Sequence, residues 1–334
     1  MPLRATLCAS LLGLMLLVAV GCQPKEPPEA VDKPVLGVEE PKYTIGVVPK
    51  GTTHIFWESV RAGALAAGDE LGAKIIWNGP AVETDIEGQK SILEDLVTKG
   101  VDALVVAACD ADALTPTLQE AKDEGIPVAT IDSGISDTEL PLSYVATDNV
   151  AGAELAARKL AELIGDEGEV GLMPFIQGAV SSDERQRGFE QEIARHPNIR
   201  LVITLYSESD LEKGKTAAED MLTRNPDLAG IFAANEPGGV ATARLLEERG
   251  LAGKVKLVAF DASEPEIEAL RAGTIQALIV QNPFRMGYEG VTAVVKYLNG
   301  EEVEPRIDTG VTVVTQENID DPEVQELLHP PGVE

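Results

Sequence analysis

Histidine and cysteine are rare in this sequence, with three of each in 334 residues. His54, His196 and His329 are far apart and show no metal-ligand spacing. The patterns Gly-x-Ser-x-Gly, His-Glu-x-x-His and Cys-x-x-Cys are missing as well, so the common hydrolase, metalloprotease and thiol-redox sites are not indicated. We therefore expect no catalytic residue, no bound metal and no cofactor.

Positive charge is also scarce, because 27 Lys and Arg stand against 56 Asp and Glu, a formal net charge of −29. Such a surface repels a phosphate backbone, which argues against nucleic acid as a partner. Two of the acids, Asp110 and Asp112, form a close pair that could act in hydrolysis. Acidic residues are also favoured at the start of a helix, and we prefer that role here.

Long apolar runs are missing except near the start of the chain, where the run from Leu11 to Val20 follows Arg4. This run is short for a membrane-spanning helix and has the layout of a secretory signal. Cys22 comes directly after its small residues, as at bacterial lipoprotein cleavage sites. We expect a lipoprotein signal peptide over residues 1–21 and lipidation of Cys22, with a plain signal peptide or a single anchor as the alternatives.

Residues 22–42 are rich in proline and glutamate. They can bury little apolar surface, which predicts a disordered tether. Cleavage would remove Cys8 and lipid would occupy Cys22, so that Cys109 is the only thiol left and no disulfide can form within one molecule. Cys109 follows an apolar strand, and we expect it to be a packed residue rather than a nucleophile.

Aromatic residues make up only 4% of the sequence, yet Phe56 and Trp57 are adjacent. They follow a predicted buried strand from Tyr43 to Val48 and begin a stretch with helical apolar spacing. They therefore lie near the carboxyl end of the first strand, where open α/β sheets bind ligands. The rings could stack on a ligand or form a hydrophobic staple at the helix start, and these residues alone do not separate the two roles.

Strands and helices alternate from Tyr43 onward with a period near thirty residues. This alternation is typical of parallel sheets that are covered by helices on both faces. A second cycle begins at Thr147, and two sets of about five strand–helix units exceed one sheet of ordinary size. The sequence therefore predicts an α/β protein with two similar lobes.

Polar residues recur just past the carboxyl ends of the predicted strands, at Asp132, Asn235, Asp261 and Gln281. If the two lobes face each other, these side chains converge on a cleft, where carboxylates and amides suit vicinal hydroxyl groups. Each residue could instead cap the helix that follows it. The recurrence at four strands favours a binding role.

Arg185 lies near the predicted start of a helix, where its charge opposes the helix dipole. This position indicates an acceptor in front of the guanidinium, either a ligand hydroxyl or the carboxylate of Asp183. A solvated surface arginine is the alternative.

Seven segments carry a resemblance to a known family: HIFWESVRAGA, GIPVATIDS, YVATDNVAG, ERQRGF, FAANE, VAFDAS and ALIVQNP. They resemble the bacterial periplasmic sugar-binding proteins of the ribose-binding type, which are type I solute-binding proteins of ABC importers. The resemblance implies two Rossmann-like lobes with parallel sheets, joined by three hinge crossings. The N-terminal lobe would comprise residues 43–147 and 282–309, and the C-terminal lobe residues 148–281 and 310–320. Residues 321–334 would form a tail.

The resemblance also implies which residues bind the ligand. The aromatic sandwich of the family falls on Phe56 and Trp57. Its polar positions fall on His54, Asp132, Arg185, Asn235, Asp261 and Gln281.

Several positions depart from the pattern of the ribose binder. His54 and Ala107 stand where that protein has asparagine, Ser133 replaces a ligand-binding arginine, and Ser209 replaces a phenylalanine of the far wall. These departures argue against ribose itself as the ligand. Lys50, Asp132 and Asp183 are similar to positions in the autoinducer-2 binding protein, whereas Glu184 and Asn235 do not fit its pattern. We therefore expect Lys50 and Asp183 as further candidates for ligand contact.

The predicted function is that of a lipid-anchored receptor in the periplasm or cell envelope. It would bind a small sugar or polyol and dock on an ABC permease in the inner membrane. We expect a monomer that meets the membrane only through its lipid. An autoinducer-2-like signal receptor, a sensor accessory protein and a secreted hydrolase remain alternatives. Effector domains of lactose-repressor-type regulators share the fold, but here a signal and a tether, rather than a helix-turn-helix, precede the first strand.

Overall fold

The computed structural model describes residues 40–330 and residue 332. The predicted signal peptide, Cys22 and nearly all of the predicted tether lie outside the described residues. No helix in the described part of the chain has both the length and the apolar composition needed to cross a membrane.

Strands and helices alternate along the described chain, as expected. The strands are Tyr43–Val48 (β1), Ala73–Trp77 (β2), Ala103–Val106 (β3), Val128–Ile131 (β4), Ser143–Ala146 (β5), Gly168–Met173 (β6), Ile199–Thr204 (β7), Leu228–Ala233 (β8), Lys256–Phe260 (β9), Ala277–Gln281 (β10), Arg306–Asp308 (β11) and Val311–Val314 (β12). The helices are Ile55–Leu71 (α1), Ile86–Lys99 (α2), Ala111–Asp123 (α3), Asn149–Ile164 (α4), Val180–Ile193 (α5), Leu211–Arg224 (α6), Glu236–Glu248 (α7), Glu264–Ala272 (α8), Pro283–Leu298 (α9) and Pro322–Leu328 (α10).

The strands form two six-stranded sheets, with the orders β11-β5-β4-β3-β1-β2 and β12-β10-β9-β8-β6-β7. Neighbouring strands are parallel except β10 and β12, which pair in the antiparallel sense. Strands β3 and β4 are buried along their whole length, because apolar helix faces cover both sides of each sheet. We call the two sheets with their helices the first and second lobe. The predicted fold class is confirmed.

The chain passes between the two sheets three times, after β5, after β10 and after β11. Two of these crossings run side by side, because Thr147 Oγ1 lies 3.4 Å from Thr309 Oγ1 and donates to the backbone oxygen of Gly310 at 3.2 Å. At the remaining crossing Asn282 caps α9 by accepting a hydrogen bond from the backbone of Arg285. Rotation of the lobes would be concentrated in these short segments.

Helix α9 packs against α1, although the two helices lie near opposite ends of the chain. A Cβ built on Gly63 would overlap the backbone oxygen of Phe284, and one built on Gly287 would overlap the backbone oxygen of Val60. Two glycines are therefore needed for the helix backbones to approach this closely. The contact ties the segment after β10 to the helix that carries Phe56.

Three elements are not individually indicated by the sequence pattern: β11, α8 and α10. Strand β11 has three residues and no buried one among them, whereas α8 has nine residues and α10 has seven. Hydrophobic periodicity needs a window of about 11 residues to be informative, so such short elements give no usable signal.

Candidate functional site

A small cavity lies where the carboxyl ends of strands from the two lobes face each other. It is lined by Lys50, His54, Phe56, Trp57, Glu83, Asp132, Phe175, Arg185, Asn235, Glu236, Pro237, Asp261 and Gln281. The structure thus brings together all eight residues that the strand tips and the resemblance predicted, together with Lys50. Their role in binding remains a prediction.

Direct hydrogen bonds join the lobes beside this cavity. Lys50 Nζ donates to Ser181 Oγ at 3.0 Å, and Ser209 Oγ donates to Glu83 Oε2 at 2.8 Å. The remaining space is about 20 Å³, which is room for about one water molecule. The lobes are therefore closed on each other, and a sugar ring would enter only if they separated or if side chains moved.

Glu83 is the most connected acid of the cavity. Its carboxylate accepts hydrogen bonds from Trp57 Nε1 at 2.8 Å and from Ser209, and its Oε1 lies 3.6 Å from His54 Nδ1. Burial opposes the charged form, but the charge of Lys50 and the contacts with His54 and Ser209 lower the pKa of Glu83 to about 2. Glu83 is therefore an ionised acceptor that links the two lobes.

Lys50 forms a buried ion pair with Asp132. Lys50 Nζ lies 2.8 Å from Asp132 Oδ2, and both side chains are only 3% exposed. Burial disfavours the ammonium, yet the carboxylates of Asp132 and Glu83 more than offset it and raise the Lys50 pKa. The Lys50 ammonium also lies 5.0 Å from the ring of Phe175. Breaking such a pair would leave an uncompensated buried charge.

Asp261 and Gln281 form a polar pair at the ends of neighbouring strands β9 and β10. Gln281 Nε2 donates to Asp261 Oδ1 at 2.6 Å, while Asp261 Oδ2 accepts from the backbone of Glu236 at 3.0 Å. Gln281 Oε1 is buried and has no hydrogen-bond partner among the described residues. Leaving such an acceptor unpaired costs about 1–3 kcal/mol, so Gln281 is suited to accept a ligand hydroxyl.

Glu236 and His54 face each other from opposite lobes. Burial and the neighbouring Asp261 carboxylate raise the pKa of Glu236 to about 7. Burial disfavours the charged form of His54, but hydrogen bonding and the charge of Glu83 raise the His54 pKa overall. One acid of the cavity therefore titrates near neutral pH, while Glu83 stays ionised.

Arg185 is 2% exposed, so the solvated-arginine alternative is wrong. Its Nε donates to Asn149 Oδ1 at 2.9 Å, and another guanidinium nitrogen donates to the backbone oxygen of Ala234 at 2.7 Å. The guanidinium also stacks 3.7 Å from the centre of the Phe260 ring. These contacts hold the guanidinium at the cavity wall.

Asn235 combines the two roles that its sequence position allowed. Its Oδ1 accepts from the backbone of Gly238 and caps α7, and its Nδ2 donates to Ser209 Oγ at 2.8 Å. Asn235 also lines the cavity. A helix cap at a strand end is therefore compatible with a place in the site.

The two adjacent aromatic residues differ in their surroundings. Trp57 is 1% exposed and lies in the core of the first lobe, with its Nε1 bonded to Glu83. Phe56 is half-buried and meets Trp57 edge to face, with ring centres 4.9 Å apart. Phe56 is therefore the more accessible ring, whereas Trp57 mainly positions Glu83.

Asp132 and Asp261 share an uncommon backbone conformation, with φ of 54° and 83°. Residues other than glycine rarely adopt positive φ, and aspartate is among those that tolerate it best. Each of these residues directly follows a strand, β4 or β9, and turns its carboxylate into the cavity. Local strain of this kind persists where the surroundings support it, often at functional sites.

Two other candidate acids lie away from the cavity. Asp183 is exposed and accepts a hydrogen bond from the backbone of Gly178 at 3.4 Å, so the structure does not bring it to the cavity lining. Asp110 Oδ1 accepts from the backbones of Asp112 and Ala113 and caps α3. Capping at the start of α3 therefore accounts for the position of Asp110 beside Asp112.

Sequence reasoning missed Glu83, Phe175 and Glu236. Glu83 and Phe175 lie in the loops after β2 and β6, and Glu236 follows Asn235 at the start of α7. Inspection of all the polar and aromatic residues in strand-end loops would have included them. No group of three or more potential metal ligands occurs within residues 40–330 or at residue 332.

Comparison with known proteins identifies the family. A family profile described as a periplasmic binding protein domain matches residues 45–302. The ribose import binding protein RbsB of Haemophilus influenzae is 29% identical over 277 residues, which cover 82% of this chain and 91% of that protein.

Two solved structures from Agrobacterium vitis are similar over most of the chain. An ABC transporter solute-binding protein bound with α-D-tagatopyranose is 36% identical, covers 86% of this chain and 99% of its own, and has a TM-score of 0.83. Another, with bound D-fucose, is 38% identical with the same TM-score of 0.83, and covers 86% of this chain and 100% of its own. The resemblance to sugar-binding proteins of the ribose-binding type is confirmed, and the chain belongs to the periplasmic binding protein family.

Proposed function

We propose that this chain is the solute-binding protein of an ABC importer and that it binds a small sugar or polyol between its lobes. The convergence of polar side chains from both lobes on one cavity carries this proposal. Asp132 and Lys50 come from the first lobe, whereas Arg185, Asn235 and Asp261 come from the second. A ligand that touches both lobes favours the closed state through its additional contacts.

The charges of the cavity suit a neutral, hydroxyl-rich ligand. Lys50 is already paired with Asp132, and Glu83 is held by hydrogen bonds and by the charge of Lys50. A charged ligand would leave one of these groups uncompensated in a buried site. Hydroxyl groups can donate to the carboxylates and accept from Lys50 and Arg185 without adding charge. The similar proteins with bound tagatopyranose and fucose support this ligand class.

The test is calorimetry with a panel of D-ribose, D-arabinose, D-allose, D-tagatose, D-fucose and xylitol, selected by a thermal-shift screen. For each sugar that binds, Asp132→Ala and Asp261→Ala should each weaken affinity by about 1–3 kcal/mol, through loss of a buried hydrogen-bond partner. Asp166→Ala is a matched control, because Asp166 also has positive φ but is 66% exposed. Unchanged affinity in both cavity variants would remove these residues from the site. Failure of every sugar to bind would contradict the proposed function.

A receptor for an autoinducer-2-like signal is the second candidate for the same site. The Lys50–Asp132 pair at the cavity supports it. Asp183, the other residue of that pattern, is exposed and bonded to Gly178 instead. The pattern is therefore only partly assembled, and a plain sugar or polyol is the better-supported ligand.

The proposal also includes lipidation of Cys22, attachment to the periplasmic or outer face of a membrane, and delivery of the ligand to an ABC permease without chemical turnover. Support for the anchor comes from the sequence around Cys22. In the expressing bacterium, Cys22→Ser should move the protein from the membrane fraction to the soluble fraction and abolish labelling by a fatty-acid analogue. Labelling that persists in this variant would contradict the anchor.

A further inference from the structure

A larger cavity, which we call the side chamber, adjoins the small cavity of the site. Its volume is about 310 Å³, and its walls come from the first turn of α1, the end of β10, helix α8 and the C-terminal segment around α10. It shares Phe56, Glu236, Asp261 and Gln281 with the small cavity. The two spaces therefore share a wall that these four residues form.

Apolar side chains dominate the side chamber away from this shared wall. They include Ile55, Ile267, Val280, Leu327 and Leu328. Ile55 is 39% exposed, which is unusual for a large apolar residue in this protein. Lysine and arginine, which dominate the small cavity as donors, do not contribute to the chamber lining among the described residues. The chamber therefore offers apolar contact where the small cavity offers hydrogen bonds.

The C-terminal segment forms part of the chamber wall. Leu327 and Leu328 end α10 and pack against the core of the second lobe, whereas Gly332 lies beside α1 of the first lobe. A Cβ built on Gly332 would lie 3.7 Å from the Cβ of Ala62. The chamber is therefore bounded by both lobes, as the small cavity is.

The shared wall contains polar oxygen atoms that pair with no described residue. Gln281 is 3% exposed, and its Oε1 lacks a hydrogen-bond partner within the described chain. The Oε2 atom of Glu236 is also buried and lacks a partner among the described residues. Both side chains line both cavities. Their position suits a molecule whose hydroxyl groups lie in the cleft and whose apolar part continues past Phe56.

We propose that the side chamber binds an apolar substituent on the sugar held in the cleft, so that the ligand is an alkyl or aryl glycoside. This inference rests on the proposed function. The volume of the side chamber, about 310 Å³, exceeds the roughly 150 Å³ of an apolar protein cavity that holds benzene. A phenyl group or a short alkyl chain fits that space, and its burial there would add affinity without adding hydrogen bonds.

The test compares methyl and phenyl glycosides of D-ribose, D-arabinose, D-allose and D-fucose, each in both anomeric forms, by calorimetry. For at least one anomer of a sugar that binds, the phenyl glycoside should bind about tenfold or more tightly than the methyl glycoside. Leu328→Asn and, independently, Ile55→Asn should remove this preference and leave affinity for the free sugar unchanged. Leu65→Asn, at an exposed leucine of α1 outside the chamber, should leave the preference intact.

Two outcomes would overturn the inference, and they are distinguishable. If free sugars bind but phenyl glycosides bind no better than methyl glycosides for either anomer, the chamber does not receive the substituent and the proposed function still stands. If neither free sugars nor glycosides bind, the proposed function fails and the inference fails with it. A phenyl preference that survives in both chamber variants would place the substituent elsewhere and also contradict the inference.

Discussion

Two buried glutamates in one cavity should respond to pH in different ways. The pKa of Glu236 is raised from 4.5 to about 7, chiefly by burial, whereas that of Glu83 is lowered to about 2 by Lys50 and its hydrogen bonds. The folded protein therefore prefers protonated Glu236 and ionised Glu83. Replacing each by glutamine removes the titration while nearly keeping the shape.

For Glu236, the unfolded chain ionises near pH 4.5, whereas the folded protein does so near pH 7. The stability gained from the protonated form is present below pH 4.5 and is lost as the pH rises through about 7. At 1.36 kcal/mol per pKa unit, the stability lost relative to fully protonated Glu236 is about 1 kcal/mol at pH 5 and about 3 kcal/mol at pH 8. The unfolding free energy of Glu236→Gln should therefore rise by about 2 kcal/mol relative to that of the wild type between pH 5 and pH 8.

Glu83 provides the matched control, because its contribution has the opposite sign. Its stabilisation is present above the unfolded pKa of 4.5 and is lost only as the pH falls toward 2. Glu83→Gln should therefore cost up to about 3 kcal/mol at pH 5. The cost should be somewhat smaller at pH 8, because the attraction between Glu83 and protonated His54 is lost as His54 gives up its proton. Both glutamates lie in the same closed cavity, so a comparison of the two glutamine variants separates the effect of side-chain charge on stability from the effect of side-chain shape.

The assay is urea unfolding followed by circular dichroism at pH 5, 6, 7 and 8, on the wild type and both variants without added sugar. The difference in unfolding free energy between Glu236→Gln and the wild type should increase from pH 5 to pH 7 and change little from pH 7 to pH 8. The destabilisation by Glu83→Gln should be largest at pH 5 and should decrease only as His54 loses its proton. A level difference for Glu236→Gln would refute the claim that Glu236 is held in its protonated form by the closed cavity.

Two further predictions concern packing. Gly63→Ala should destabilise the protein by about 3 kcal/mol or more, since the added Cβ overlaps the backbone of α9. Gly72→Ala, with open space around it and φ of 66°, should cost only about 1–2 kcal/mol in the same urea assay; equal costs would show that the helix contact is loose. Cys109 is fully buried, and burial together with the charge of Glu83 raises its pKa to about 12. In a protein carrying Cys8→Ser and Cys22→Ser, it should react with a thiol reagent at pH 8 only after unfolding, and rapid reaction of the folded protein would contradict that burial.

Local patterns in the sequence were sufficient for the fold class and for several of the residues that line the small cavity. Apolar runs of four to six residues alternate with helical spacings, and this repetition predicts parallel sheets with helices on both faces. Polar residues directly after strands, such as Asp132 and Asp261, could be recognised because the carboxyl ends of parallel strands meet at one edge of a sheet. Arg185 stood out by its position near a helix start, but no periodicity indicates its contacts with Asn149 and Ala234.

Other features depend on contacts between distant parts of the chain. Glu83 gains its role only because Ser209, 126 positions later, meets it from the opposite lobe. Trp57 could have been an exposed stacking ring by its sequence, but the fold buries it beside Glu83.

The side chamber likewise exists because α1, β10, α8 and the C-terminal segment converge in space. Periodicity reports the environment of a residue within its own strand or helix, whereas burial of a charge and the shape of a cavity depend on which elements the chain crossings bring together. The sequence therefore sufficed for the two lobes and the residues at their strand ends, and the packing of those lobes determined the protonation of Glu236 and the apolar space beside the cleft.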